Sequence, residues 1–199
     1  MQREAAVSSF RELTDYFLRV GATDVVHSSK SYLAHAIGVY NDLKEWGCSE
    51  EIARVGLFHS IYGTELFQGF TLPLERRDEI RELIGERAER IAWLNCALDR
   101  PHFDQEIRKS SGPYEVLDRF RGEIVPVSDE DFCDLCVVHL CDWLEQVGRC
   151  GAWDYRRTGY RDLALRLGGQ ALERYERTFA EAPAQTWFQE YVWPASAKR

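Results

Sequence analysis

The sequence predicts an all-α protein, and three observations predict it. Apolar residues recur at helical spacing along most of the chain, strand-like alternation is nearly absent, and the candidate helices are punctuated by glycines and serine caps. Val7, Phe10, Leu13 and Phe17 mark one face of a first helix that Gly21 ends. A second helix runs from about Ser31 to Trp46, with Leu33, Ile37, Tyr40 and Leu43 apolar and Gly47 closing it. Ser49 caps a third. Glu50 and Glu51 stand in its first turn, where unpaired backbone N–H groups favour negative charge. That helix carries Ile52, Val55 and Gly56 toward His59.

Pro73 begins a fourth helix, long and charged, with Ile80, Ile84, Ala88 and Ile91 as its inner stripe. Its arginines (Arg76, Arg77, Arg81, Arg87 and Arg90) are interspersed with Glu75, Glu79, Glu82, Glu86 and Glu89, which reads as an exposed, salt-bridged face. Residues 99–127 contain Pro101, Gly112-Pro113 and mixed charge, so a long loop or lid is expected there. Ser128, followed by Asp129, Glu130 and Asp131, opens a fifth helix that reaches about Gln146. Two more follow, one to Leu167 and, after a Gly168-Gly169 break, another to Phe179. There is no internal repeat and no low-complexity segment.

A chain of 199 residues with 45% hydrophobic content can build one sizeable core, so a single domain over 1–199 is expected. The net charge of −8 gives no electrostatic reason to expect nucleic acid as a partner. No stretch approaches the roughly 20 apolar residues that span a bilayer, and "MQREAAVSSF" lacks a secretory pattern, so the expectation is a cytoplasmic protein away from membranes. The sequence leaves a homo-oligomer open. Cys133 and Cys136 form a C-x-x-C without a second pair, and the helical pattern around them predicts buried, reduced core thiols rather than a zinc site.

Polar residues on inward faces carry the functional signal. On the fifth helix Leu135, His139, Asp142 and Gln146 share one side. An aspartate there is costly to bury unless it is paired or bound to a cation. His35 sits midway along the second helix and His59 ends the third. Two histidines and an aspartate from three helices can ligate a divalent transition metal. On spacing alone, satisfied core histidines and an arginine-paired Asp142 explain the pattern equally well.

Local context adds to this. "YLAHAIGVYNDLKEWGCSEEIARVGLFHSIYGTE" resembles the HD superfamily of metal-dependent phosphohydrolases, in which one helix supplies a histidine and another ends in His-Asp. "VVHLCDWLEQ" resembles the helix that supplies the distant aspartate. The likeness is nearest to the alarmone (ppGpp) hydrolase branch, whose further helices "ELIGERAERIAWL" and "YRRTGYRDLALRLGGQALERYERTF" are similar to. It covers about residues 25–180 and implies an HD-domain-like helical bundle. It also implies one divalent metal ion (manganese, iron or zinc) on His35, His59 and Asp142, and hydrolysis of a small phosphorylated or nucleotide-like substrate.

The departures are specific. Ser60 stands where the His-Asp pair has its aspartate, and Gly63 and Thr64 stand where an acidic pair activates water. Gln146 replaces an asparagine, and His27-Ser28 replace a basic residue and serine that face the nucleotide. Glu65 becomes the candidate general base with Tyr62 as hydrogen-bond donor, while His27, Ser28, Thr64, His139 and Gln146 are the substrate-side candidates. Two other functions remain open: iron-dependent oxygenation, which suits two histidines and a carboxylate, and a non-catalytic ligand-binding module on the same fold.

Overall fold

The computed structural model describes residues 8–23, 25–27 and 30–183. Helices α2 (Tyr32–Glu45) and α3 (Glu50–Phe58) begin where the sequence places them, α1 (Phe10–Arg19) begins three residues after the expected Val7, and each begins for the same reason. Ser9, Ser31 and Ser49 precede them in extended conformation, and each hydroxyl accepts a hydrogen bond from the backbone N–H three residues on. Such a cap stabilises a helix end by about 1 kcal/mol. At Ser9 the cap is reciprocal, because the Glu12 carboxylate accepts the Ser9 N–H. Val7, expected on the inner face of α1, lies outside the described residues.

The predicted fourth helix is two helices. A 3-10 turn (Leu74–Arg76) leads into α4 (Arg77–Ile84), and α5 (Glu86–Ala97) starts afresh after Gly85. Gly85 has φ 95° and ψ 156°, a conformation open essentially only to glycine. The apolar stripe continues across the break, since Ile80, Ile84, Ala88 and Ile91 are all buried, and this continuity hides the break in the sequence.

The expected charged face also needs correction. Glu89 is fully buried and receives Arg77 Nε (2.6 Å) and Nη2 (2.8 Å), Arg81 Nε (3.2 Å) and the Tyr62 hydroxyl (2.9 Å). Arg87 pairs with Glu51, Asp131 and Asp134, tying α3 and the later helix α7 (Asp129–Cys150) to α5. Only part of this segment is the solvated face that alternating charge suggested.

Residues 99–127 are not a long loop. They fold as α6 (Arg100–Glu106), capped by Asp99, and a hairpin of β3 (Tyr114–Asp118) and β4 (Glu123–Val127). Tyr114, Val116 and Asp118 alternate inward, with Tyr114 opposite Val127 in antiparallel register. Strands of five residues, one interrupted by Pro126, are too short and too broken to register as alternation. A second small antiparallel pair, β1 (Val26–His27) with β2 (Lys30–Ser31), precedes α2. The architecture is therefore mostly, not purely, helical.

α7 is the central element, packed against α2, α3 and α5 and against α8 (Arg157–Leu167) and α9 (Gly169–Phe179). Leu135, His139, Asp142 and Gln146 are all buried on it, as their shared face requires. The six cysteines are free thiols. Cys136 is buried, but Cys133 is exposed, because it falls on the solvent side of α7's second turn. No helix among the described residues is long and apolar enough to cross a membrane.

Candidate metal centre

Three side chains from α2, the end of α3 and α7 converge in the core. His35 Nε2 lies 3.0 Å from Asp142 Oδ1 and 3.2 Å from His59 Nε2, and His59 Nε2 lies 3.2 Å from the same oxygen. All three residues are buried, and their donor atoms could hold a metal ion.

The other ring nitrogens show how the donors are set. His59 Nδ1 lies 2.6 Å from the Gly56 carbonyl, which can only accept, so Nδ1 carries the proton and the Nε2 lone pair faces the cluster. His35 Nδ1 makes a short contact with the Glu145 carboxylate, which again fixes the proton on Nδ1. A ligating histidine that donates its far N–H to a carboxylate or carbonyl is the usual support of a metal site. Gly38, one turn beyond His35 on α2, makes room for that carboxylate, since a Cβ there would sit 2.5 Å from Glu145 Oε1. Lys30 Nζ (2.9 Å) and Arg149 Nη2 (2.5 Å) also hold Glu145.

The charges are tightly linked. Burial disfavours the His35 imidazolium, but Asp142 and Glu145 outweigh it and hold its pKa above the ordinary value. Burial likewise opposes ionisation of Asp142, yet the two histidines keep it well below the usual carboxylate range. Glu145 is drawn down to about 2 by His35, Arg149 and Lys30 against its own desolvation. Without a metal, a proton on His35 Nε2 would lie within reach of both Asp142 Oδ1 and His59 Nε2.

A narrow cavity opens beside these ligands, lined in part by His27, Thr64, Phe67, Arg100, Trp143 and Gln146. As it stands the cavity has room for roughly one water, so a larger ligand enters only when its lining moves apart. His27 stacks on His35 with ring centroids 4.3 Å apart and an interplanar angle of 7°, and Phe67 meets its ring edge-on. Burial, with His35 beside it, pulls the His27 pKa down to about 3, so its ring is neutral. Thr64 Oγ1 accepts the Phe67 N–H at 3.0 Å, and Gln146 Nε2 donates to Asp142 Oδ1 at 2.8 Å.

Other expected site residues lie elsewhere. Ser28 is outside the described residues. Tyr62 is buried and donates to Glu89, so it braces α5 rather than facing the cavity. Glu65 is exposed and accepts the Arg100 backbone N–H at 3.2 Å, because the turn at Gly63 carries it past the cavity. His139 stands behind the ligands. Its Nδ1 is 2.9 Å from Asn95 Oδ1, Asn95 donates to the His59 carbonyl, and Arg156 Nη1 lies 2.9 Å from its Nε2. With an arginine donor on Nε2, His139 is neutral, and burial with Arg156 holds its pKa well down. Ser60 does line the cavity, but among the described residues its hydroxyl donates to the Tyr32 hydroxyl, at 3.3 Å, and does not join the three ligands.

Glu145, behind His35, and Arg100, at the cavity, are residues that sequence reasoning missed. A signal for Glu145 existed: it is three residues after Asp142, and Gly38 is three after His35, which puts a carboxylate opposite a gap on the facing helix. Arg100 was hidden in the segment expected to be a loop.

Residues 16–100 match a family described as a domain of unknown function, DUF6817. The matched segment runs from α1 to the first residue of α6, so it contains His35 and His59 and stops short of Asp142. No curated protein matches the chain, and no solved structure does.

Proposed function

We propose that the protein is a metal-dependent hydrolase acting on a small phosphorylated substrate through a mononuclear site on His35, His59 and Asp142. The observation that carries this is the convergence of two Nε2 lone pairs and one carboxylate oxygen, with both Nδ1 protons held from behind. Ligands about 2.1 Å from an ion stand about 3.0 Å apart at right angles and about 3.4 Å apart in a tetrahedron. The spacings of 3.0, 3.2 and 3.2 Å fall between the two sets and are compatible with either.

A metal ion here would supply Lewis acidity and an acidified water. The chain would supply the rest. Asp142, held ionised by the two histidines, would supply the one anionic ligand. Arg100, buried at the cavity, offers a cation to an anionic substrate. The HD-like order of the three ligands supports the hydrolase class, and the displacement of Glu65 and Tyr62 argues against the water-activating arrangement of alarmone hydrolysis.

A second function, iron-dependent oxygenation, is favoured by one observation. Among the described residues Asp142 is the only carboxylate lining the cavity, and a lone carboxylate with two histidines suits ferrous iron. Metal identity separates the two. Protein purified without chelator should carry about one metal per chain, lost in His35→Ala and in Asp142→Ala. Manganese with release of phosphate from small phosphomonoesters supports hydrolysis, whereas iron with oxygen uptake supports the second function. A parent chain that takes up none of manganese, iron or zinc overturns both.

A further inference from the structure

Beyond the metal ligands, one buried donor at the cavity, the Trp143 indole N–H, has no acceptor among the described residues, and a buried arginine lies beside it with donors to spare. Arg100 is 6% exposed, and among the described residues its guanidinium makes a single hydrogen bond, Nη1 to the Tyr155 hydroxyl at 2.6 Å, with the Tyr155 ring 5.6 Å from its central carbon. Its nearest carboxylate, Glu65 Oε2, is 4.0 Å from Nε, beyond hydrogen-bond reach. Trp143 is 2% exposed and lines the same cavity, and its indole Nε1–H has no acceptor among the described residues. Tyr160 fixes the indole by stacking at 4.8 Å with an interplanar angle of 4°.

A buried N–H is expensive to leave unsatisfied, and an arginine with unused donors beside the same cavity points to a ligand that accepts from both. The complement of these donors is an oxygen-rich anion. Asp142 lines the same space with negative charge, so the anion is best accommodated when a cation on the three ligands offsets that carboxylate.

We infer that Arg100 and Trp143 form an oxyanion subsite beside the metal ligands, one that selects substrates by a phosphate or carboxylate group. This rests on the metal-enzyme reading of the site and adds the residues that would set its specificity. Charge-assisted hydrogen bonds from a buried arginine are about twice as strong as neutral ones, so Arg100 carries the larger share.

The test titrates inorganic phosphate and acetate calorimetrically into metal-stripped and manganese-loaded protein. Parent, Arg100→Gln, Arg100→Lys and Trp143→Phe are compared, with circular dichroism and metal content measured on each. The expected result is anion binding by the parent that weakens at least tenfold in Arg100→Gln, partly recovers in Arg100→Lys and weakens severalfold in Trp143→Phe. Manganese content should not change across the set. A preference for phosphate assigns a phosphoryl substrate, and a preference for acetate assigns a carboxylate; either supports the subsite. No binding of either anion to the parent in both metal states overturns it, as does parent-like binding by folded Arg100→Gln and Trp143→Phe. Should Arg100→Gln fail to fold, Trp143→Phe decides, because it keeps the ring and removes only the N–H. Anion binding that depends on Arg100 in a chain that takes no metal would leave the subsite standing and the hydrolase reading refuted.

Discussion

Glu145→Gln should weaken metal binding without unfolding the protein. The Glu145 carboxylate takes the His35 Nδ1 proton, and it is held from the other side by Lys30 Nζ at 2.9 Å and Arg149 Nη2 at 2.5 Å. The amide keeps one oxygen that can accept from Nδ1 but loses the negative charge that makes His35 a better donor to a cation. Its NH2 group also faces two cations as a fellow donor. Both cations are partly exposed, so water can replace the lost partner and the fold should hold. Removing the outer partner of a ligating histidine costs about 10–100-fold in metal affinity, or about 1.4–2.7 kcal/mol. The assay is competition for manganese or zinc against a chromophoric chelator at fixed pH. Gly38→Ala is a milder companion, because its Cβ would displace the carboxylate tip, and it should shift affinity in the same direction. An affinity within twofold of the parent for Glu145→Gln, in a folded protein, would show that this contact orients nothing.

The remaining predictions concern pH and packing. The folded pKa of His35 lies above 6.5, so its protonation stabilises the metal-free protein below pH 6.5, and that stability is lost as pH rises through the folded value. Glu145 falls from 4.5 to about 2, so its contribution is present above pH 4.5 and is lost as pH drops toward 2. Metal-free Tm should therefore peak between about pH 4.5 and 6.5, while bound metal, which replaces the His35 proton, should remove the decline above pH 6.5; identical pH profiles in both states would refute this. Tyr62→Phe should cost about 1.5–3 kcal/mol, the loss of a hydrogen bond to a charged group. Glu89→Ala should cost about 3 kcal/mol, since Arg77 and Arg81 lose their buried partner but keep some access to water. Neither should alter metal content in elemental analysis, and a loss of metal in Tyr62→Phe would return Tyr62 to the site. Gly85→Ala should destabilise by about 1–3 kcal/mol from backbone strain alone, because nothing lies within 4 Å of its added Cβ. Chemical denaturation without a shift in midpoint would contradict that account.

Much of this was written in local sequence. Serines 9, 31, 49 and 128 cap the helices they precede, because a cap depends only on the few backbone groups that follow it. The common face of His139, Asp142 and Gln146 follows from helical periodicity alone. His35, His59 and Asp142 stood out as polar interruptions in an apolar pattern. Spacing alone fitted core histidines equally well, and it was the resemblance to the HD order that grouped them. Tertiary structure decided what depends on a neighbour distant in the chain. Glu89 looked solvated among alternating charges until Arg77, Arg81 and Tyr62 closed on it. Glu65 looked like a base until the turn at Gly63 carried it past the cavity. The hairpin at residues 114–127 became a hairpin only by pairing two strands that are individually too short to declare themselves. Periodicity fixes which side of an element a residue occupies. Whether that side meets water, a partner or a cavity is settled by packing between elements, which no single segment encodes.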